Sequence, residues 1–99
     1  MNHKTYEENH FPDSSIYSRH HRLDGEWHRE DGPAVIYYHK NGNLEIEGYF
    51  INGHFHREDG PAYMDYYENG EVRTETYYLN GIECDLLQEM VIRGLGMKP

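Results

Sequence analysis

The sequence predicts a mainly β protein, a single twisted antiparallel β-meander of about four to six strands built from two 28-residue repeats, with a short C-terminal capping helix. Three observations lead there. The heptapeptide His-Arg-Glu-Asp-Gly-Pro-Ala occurs at residues 28–34 and again at 56–62. Aligning residues 23–50 on 51–78 gives 13 identities, among them Gly25/Gly53, Tyr38/Tyr66, the Asn-Gly pairs 41–42/69–70 and Tyr49/Tyr77. Between these fixed points the chain runs in short alternating stretches broken by turn residues, the pattern of strands and hairpins. Self-similarity at such a period marks units that bury their apolar faces only against their neighbours. Duplicated residues are therefore suspected first of holding the repeats together.

The chain divides into a polar N-terminal arm over 1–22, tandem hairpin repeats over 23–81, and a capping helix and tail over 82–99. In the arm, His3, His10, His20 and His21 are scattered among Asn, Ser and Asp, and Phe11-Pro12-Asp13-Ser14-Ser15 reads as a turn before a short edge strand at Ile16-Tyr17. The arm is expected to be only partly ordered. Residues 33–50 and 61–78 each read as a hairpin. A three-residue loop, with Gly42 in the left-handed position of a bulge, sets Tyr38 opposite Leu44 and Ile36 opposite Ile46. That register puts Ala34, Ile36, Tyr38, Leu44, Ile46 and Phe50 on one face, and Val35, Tyr37, Glu45, Glu47 and Tyr49 on the other. Leu23-Asp24-Gly25, Ile51-Asn52-Gly53 and Leu79-Asn80-Gly81 form a third recurrent turn. The pattern stops after Gly81, where Glu83 and Cys84 replace the aromatic residue and histidine of the repeat. Asp85 then suits a helix N-cap, Gln88 its reciprocal position and Gly94 its stop, with Leu86, Leu87, Met90 and Val91 as an apolar stripe over the open end of the sheet or a dimer contact.

Composition narrows the chemistry. Net charge is −9, with ten tyrosines and one cysteine in 99 residues. Residues 23–85 carry fourteen Asp/Glu against four Lys/Arg, so the repeat region alone holds about −10. A field of that sign repels nucleic-acid backbones and attracts basic surfaces. A lone Cys84 leaves no internal disulfide framework, no apolar run reaches the length of a membrane span, and no secretory leader is visible. A cytoplasmic protein is expected, in the host-cell cytoplasm if the chain is viral, without direct contact with nucleic acid or membrane.

His-Arg-Glu-Asp invites a metal or acid–base reading. Equivalent residues of the two copies are two strands apart, roughly 10 Å, too far to share one ion. The simpler reading is structural: Asp-Gly-Pro turns the chain, and His and Arg hydrogen-bond to neighbouring turns or stack on Trp27 and Phe55. No nucleophile arrangement and no phosphate loop emerges, so no enzyme, metal or cofactor is expected.

The motifs Tyr66-Tyr67-Glu68-Asn69-Gly70 and Tyr77-Tyr78-Leu79-Asn80-Gly81, with His-Arg-Glu-Asp-Gly-Pro-Ala, resemble the variant MORN-like repeats of bacterial and phage proteins over roughly residues 23–81. An ordinary MORN unit is shorter and has Gly-x-Gly where this chain has Asp-Gly-Pro-Ala. The resemblance implies an antiparallel sheet array used as a binding scaffold, with some bacterial members similar to antitoxin components.

The expected function is a non-enzymatic, acidic protein-binding module, monomeric or dimeric through the C-terminal helix. Its expected contact face is Tyr37, Glu45, Glu47, Tyr49, Tyr63, Asp65, Tyr67, Glu71, Glu75 and Tyr77, docking on a basic protein that itself binds nucleic acid. A small phage-type inhibitor that blocks the nucleic-acid groove of a defence nuclease, such as a CRISPR effector, has this character, and so does an antitoxin or immunity protein against a basic toxin. The competing expectation is a small-ligand or nucleotide-sequestering protein that uses Trp27, His28, Arg29, Phe55, His56 and Arg57.

Overall fold

The computed structural model describes residues 3–84. They form ten strands: β1 (Lys4–His10), β2 (Ile16–Leu23), β3 (Glu26–Trp27), β4 (Val35–Tyr38), β5 (Leu44–Gly48), β6 (Phe50–Ile51), β7 (His54–Phe55), β8 (Tyr63–Tyr66), β9 (Val72–Leu79) and β10 (Ile82–Cys84). The main antiparallel sheet has the order β1-β2-β4-β5-β8-β9-β10, with β3 beside β2, while β6 and β7 pair separately. Its eight strands exceed the four to six expected. The helix expected after Asp85, and any dimer contact made through it, lie outside the described residues.

The surplus strands come from a third, disguised unit. The arm expected to be partly ordered is a hairpin in which β1 and β2 pair from Lys4↔Leu23 to His10↔Ile16. It repeats the two later hairpins at the same 28-residue interval. Phe11 N–H donates to Ser15 O, His39 N–H to Asn43 O and Tyr67 N–H to Glu71 O, at 2.9, 2.8 and 2.9 Å. Ser14, Gly42 and Gly70 all take the left-handed conformation, with φ of 76°, 93° and 94°. Asp13, Asn41 and Asn69 each accept the N–H two residues ahead. The two-residue turns match as well: Asp24-Gly25, Asn52-Gly53 and Asn80-Gly81 have positive φ at both residues, as a hairpin of type I′ requires.

Each hairpin carries a further bulge, and it overturns the expected division of faces. Tyr38 pairs with Leu44, as the three-residue loop requires, but Tyr37 pairs with Ile46 and Ile36 with Glu47. Glu45 is the extra residue, as Tyr17 and Arg73 are in the other units, where Asn9 and Asp65 pair with Ser18 and Thr74. A one-residue insertion exchanges the faces beyond it. Val35, Tyr37, Ile46 and Gly48 therefore share one side, and Ile36 and Glu47 the other.

The core is thin and aromatic. Ala34, Val35 and Phe50 are buried, with Trp27, Tyr37 and Phe55 packed against them. A row of rings crosses the unit boundaries, with centroids 6.1 Å apart for His20–Trp27, 5.0 Å for Trp27–Phe50, 4.3 Å for Phe50–Phe55 and 4.8 Å for Phe55–Tyr78. Gly48 leaves room for this row, since a Cβ there would lie 2.9 Å from Phe50 Cε1. Burying each large ring is worth about 1.5–3 kcal/mol, so the row supplies what the scarce aliphatic residues do not.

Candidate functional site

The repeated heptapeptide builds the junctions between units. His28 is buried, and its Nδ1 accepts the backbone N–H of Asn52 at 2.9 Å; His56 Nδ1 accepts that of Asn80 at 3.0 Å. Each histidine thus holds the turn 24 residues ahead of it. Arg29 folds back on its own loop, with Nε on Asp31 at 3.0 Å and Nη1 on Pro33 O at 3.2 Å. Arg57 repeats this on Asp59 and Pro61 O, both at 3.1 Å, and its guanidinium lies 4.0 Å from the Tyr49 ring centroid. Backbone bonds complete each junction: Gly53 N–H to Trp27 O and Gly81 N–H to Phe55 O, at 2.9 and 2.8 Å.

All six residues of the expected ligand set are therefore engaged by their own chain. Trp27 and Phe55 lie in the aromatic row, stacked on rings rather than on Arg29 or Arg57. Clefts of about 530 and 390 Å³ do open beside the two loops, the larger between the two copies of the motif. Both are rimmed by Glu30 and Asp31, whose side chains are 80% and 86% exposed.

The ten residues of the expected contact face do not stay together. Tyr37, Tyr63 and Asp65 lie on the side of the aromatic row, whereas Glu47 and Glu75 flank Met64 on the opposite side. Tyr66 donates its hydroxyl proton to Glu47 at 2.6 Å. Burial, then the Glu47 bond, raises the hydroxyl pKa of Tyr66 well above its ordinary value. Tyr49 is half-buried beneath Arg57, and its hydroxyl pKa is raised, chiefly by burial. Tyr77 is half-buried and pairs with Cys84, while Glu71 and Glu75 are exposed.

Four of the ten do come together. Glu45, Tyr63, Asp65 and Tyr67 line a cleft of about 490 Å³ with Ile46, Tyr66, Glu68, His39 and Arg73. Asp65 is 5% exposed, and Arg73 grips it through Nε and Nη2, each at 3.1 Å, while Tyr63 donates its hydroxyl proton at 2.8 Å. The Arg73 bonds outweigh desolvation and hold the Asp65 carboxyl at about 2. Tyr63 is shifted upward by burial first and by its bond to Asp65 second. Asp65 is thus committed to the fold, whereas Tyr67 is 52% exposed at the cleft mouth. Two loops meet there: His39 Nε2 donates to Tyr66 O at 2.9 Å, and Asn41 and Asn43 both donate to Glu68 O at 2.8 Å.

Arg73, His39 and Tyr66 were not among the expected site residues. One signal pointed to Arg73: it stands 28 residues after Glu45, the one basic residue in an acidic hairpin. Among the described residues, no three His, Cys, Asp or Glu side chains gather as a metal site, and no helix is long and apolar enough to cross a membrane. Compared with protein-family models, curated proteins and solved structures, the chain matches none.

Proposed function

We propose that this protein is a non-enzymatic binding module that docks its acidic tyrosine-lined cleft on a basic surface of another protein. The observation that carries this reading is the 490 Å³ cleft, where exposed Tyr67 stands beside Glu45 and Glu68. Tyrosine offers a large anchor with a polar tip, and carboxylates steer and orient a basic partner. The formal charge of −9 favours such a partner over nucleic acid itself. The narrower reading is a small phage-type inhibitor, built on a variant MORN-like array, that covers the nucleic-acid groove of a defence nuclease such as a CRISPR effector. An antitoxin or immunity protein against a basic toxin uses the same chemistry. The sequestering alternative is less favoured, because Trp27 and Phe55 pack against the core while His28, Arg29, His56 and Arg57 already hydrogen-bond the backbone.

The test is affinity capture from a bacterial lysate at low and high salt, with mass spectrometry of protein and small-molecule eluates. The wild type is compared with the Glu45→Lys/Glu68→Lys variant. A basic protein held at low salt, released at high salt and lost by a folded variant is expected. Equal capture by the variant, or a retained nucleotide or metal without a protein, contradicts the proposal.

A further inference from the structure

The junction histidines have a second property that follows from the direction of their hydrogen bonds. Nδ1 of His28 and of His56 accepts a backbone N–H, so both rings must carry their proton on Nε2. Glu30 stands 3.4 Å from Nε2 of His28 and Glu58 stands 3.5 Å from Nε2 of His56, which keeps that proton in place. A second proton has only Nδ1 to occupy. There it meets the N–H of Asn52 or Asn80 head-on, and that N–H loses its protein acceptor.

We propose that the two junctions are proton-operated latches: proton uptake at Nδ1 of His28 and His56 releases the turns at Asn52-Gly53 and Asn80-Gly81 and loosens neighbouring units while the sheet stays intact. Two features confine the effect. The hairpin ladders contain neither histidine. The neighbouring bonds Gly53 N–H to Trp27 O and Gly81 N–H to Phe55 O do not titrate.

Other charged and titratable groups surround each latch. Around His28 stand Arg29, Glu30 and Asp31 of its own loop, His21 and Arg22 of β2, and Lys4 of β1. Glu26 of β3 packs at Gly53 in the turn that His28 holds. Around His56 stand Arg57, Glu58 and Asp59 of its own loop, Arg29, Glu30 and Asp31 of the preceding one, and Tyr49. His54 of β7 packs at Gly81.

Amide hydrogen exchange followed by NMR tests the proposal on the whole chain. Protection factors, corrected for intrinsic exchange, are compared between about pH 8 and about pH 5, the interval in which histidine changes charge. The wild type should lose protection about tenfold at the Asn52 and Asn80 amides, roughly what one lost hydrogen bond confers. Ladder amides such as Ile46 should stay constant. In the His28→Asn/His56→Asn variant each Oδ1 offers an acceptor that takes up no proton in this range, so the acid response at both turns should disappear. Unchanged wild-type protection, or the same acid response in the variant, overturns the proposal. Should the variant fail to fold, ring-nitrogen shifts of the wild type decide: Nδ1 unprotonated at about pH 8 and protonated at about pH 5 supports the latch, and a proton already on Nδ1 at the higher pH overturns it.

Discussion

Ser14 and Gly42 occupy the same left-handed position in equivalent hairpin loops, 28 residues apart, with φ of 76° and 93°. A residue with a Cβ is strained there and glycine is not. Ser14→Gly should therefore stabilise the protein by about 0.5–1 kcal/mol, raising the melting temperature by a few degrees. Gly42→Ala should lower stability by about 1 kcal/mol. Thermal unfolding followed by circular dichroism checks both, and a Ser14→Gly variant less stable than the wild type would mean that the loops are not equivalent.

The pair Asp65–Arg73 should set the acid limit of the β8–β9 hairpin. Asp65 has a folded-state pKa of about 2, below its ordinary carboxylate value. Its contribution is therefore complete above about pH 3.9 and lost as pH falls toward 2. Arg73→Gln should raise the Asp65 value toward the ordinary range and cost about 1–2 kcal/mol. A carboxyl-carbon NMR titration reads the shift, and an Asp65 that titrates alike in both proteins contradicts the assignment.

A different group contributes to the pH dependence of stability nearer neutrality. His20 is buried, its Nδ1 has no partner among the described residues, and its ring faces Trp27 and Tyr37. Burial lowers its pKa most, Glu7 opposes that and Arg22 adds to it. The folded state then binds this proton less readily than the unfolded chain. Stability from His20 is therefore full above about pH 6.5 and declines as pH falls below that value toward the lowered folded pKa. The melting temperature should drop over this interval, and His20→Phe, which keeps the ring contacts, should flatten the drop. Parallel pH curves for the two proteins would exclude His20. His21 shifts the same way, by burial and then Arg29, and should leave a residual slope.

Particular residues mark how far the sequence was legible. The two copies of the heptapeptide gave the period, the Asn-Gly pairs gave the loops, and Tyr38 opposite Leu44 gave the innermost register. The turn at 11–15 and the strand after it are legible, but their kinship with the repeats is not, because Asp13 and Ser14 stand where Asn and Gly mark the others, although their hydrogen bonds are the same. The faces are not legible because the bulge residue is Tyr17, Glu45 or Arg73, three side chains with no shared chemistry. A bulge is set by strand twist and pairing across the sheet, and a binary pattern does not encode it. The structural reading of His-Arg-Glu-Asp matches the bonds of His28 and His56 to neighbouring turns, whereas Arg29 and Arg57 close their own loops, and the partners of Asp65 depend on which face Arg73 reaches.

Thermal unfolding of the Arg29→Ala/Arg57→Ala variant tests most directly whether the repeated heptapeptide holds the array together and leaves binding to the acidic cleft. Each arginine closes its loop on a proline carbonyl and an aspartate. The variant should lose about 2 kcal/mol or more, a fall of roughly 8 °C or more in melting temperature. An unchanged melting temperature together with loss of a bound ligand would contradict the account and return the motif to a binding role.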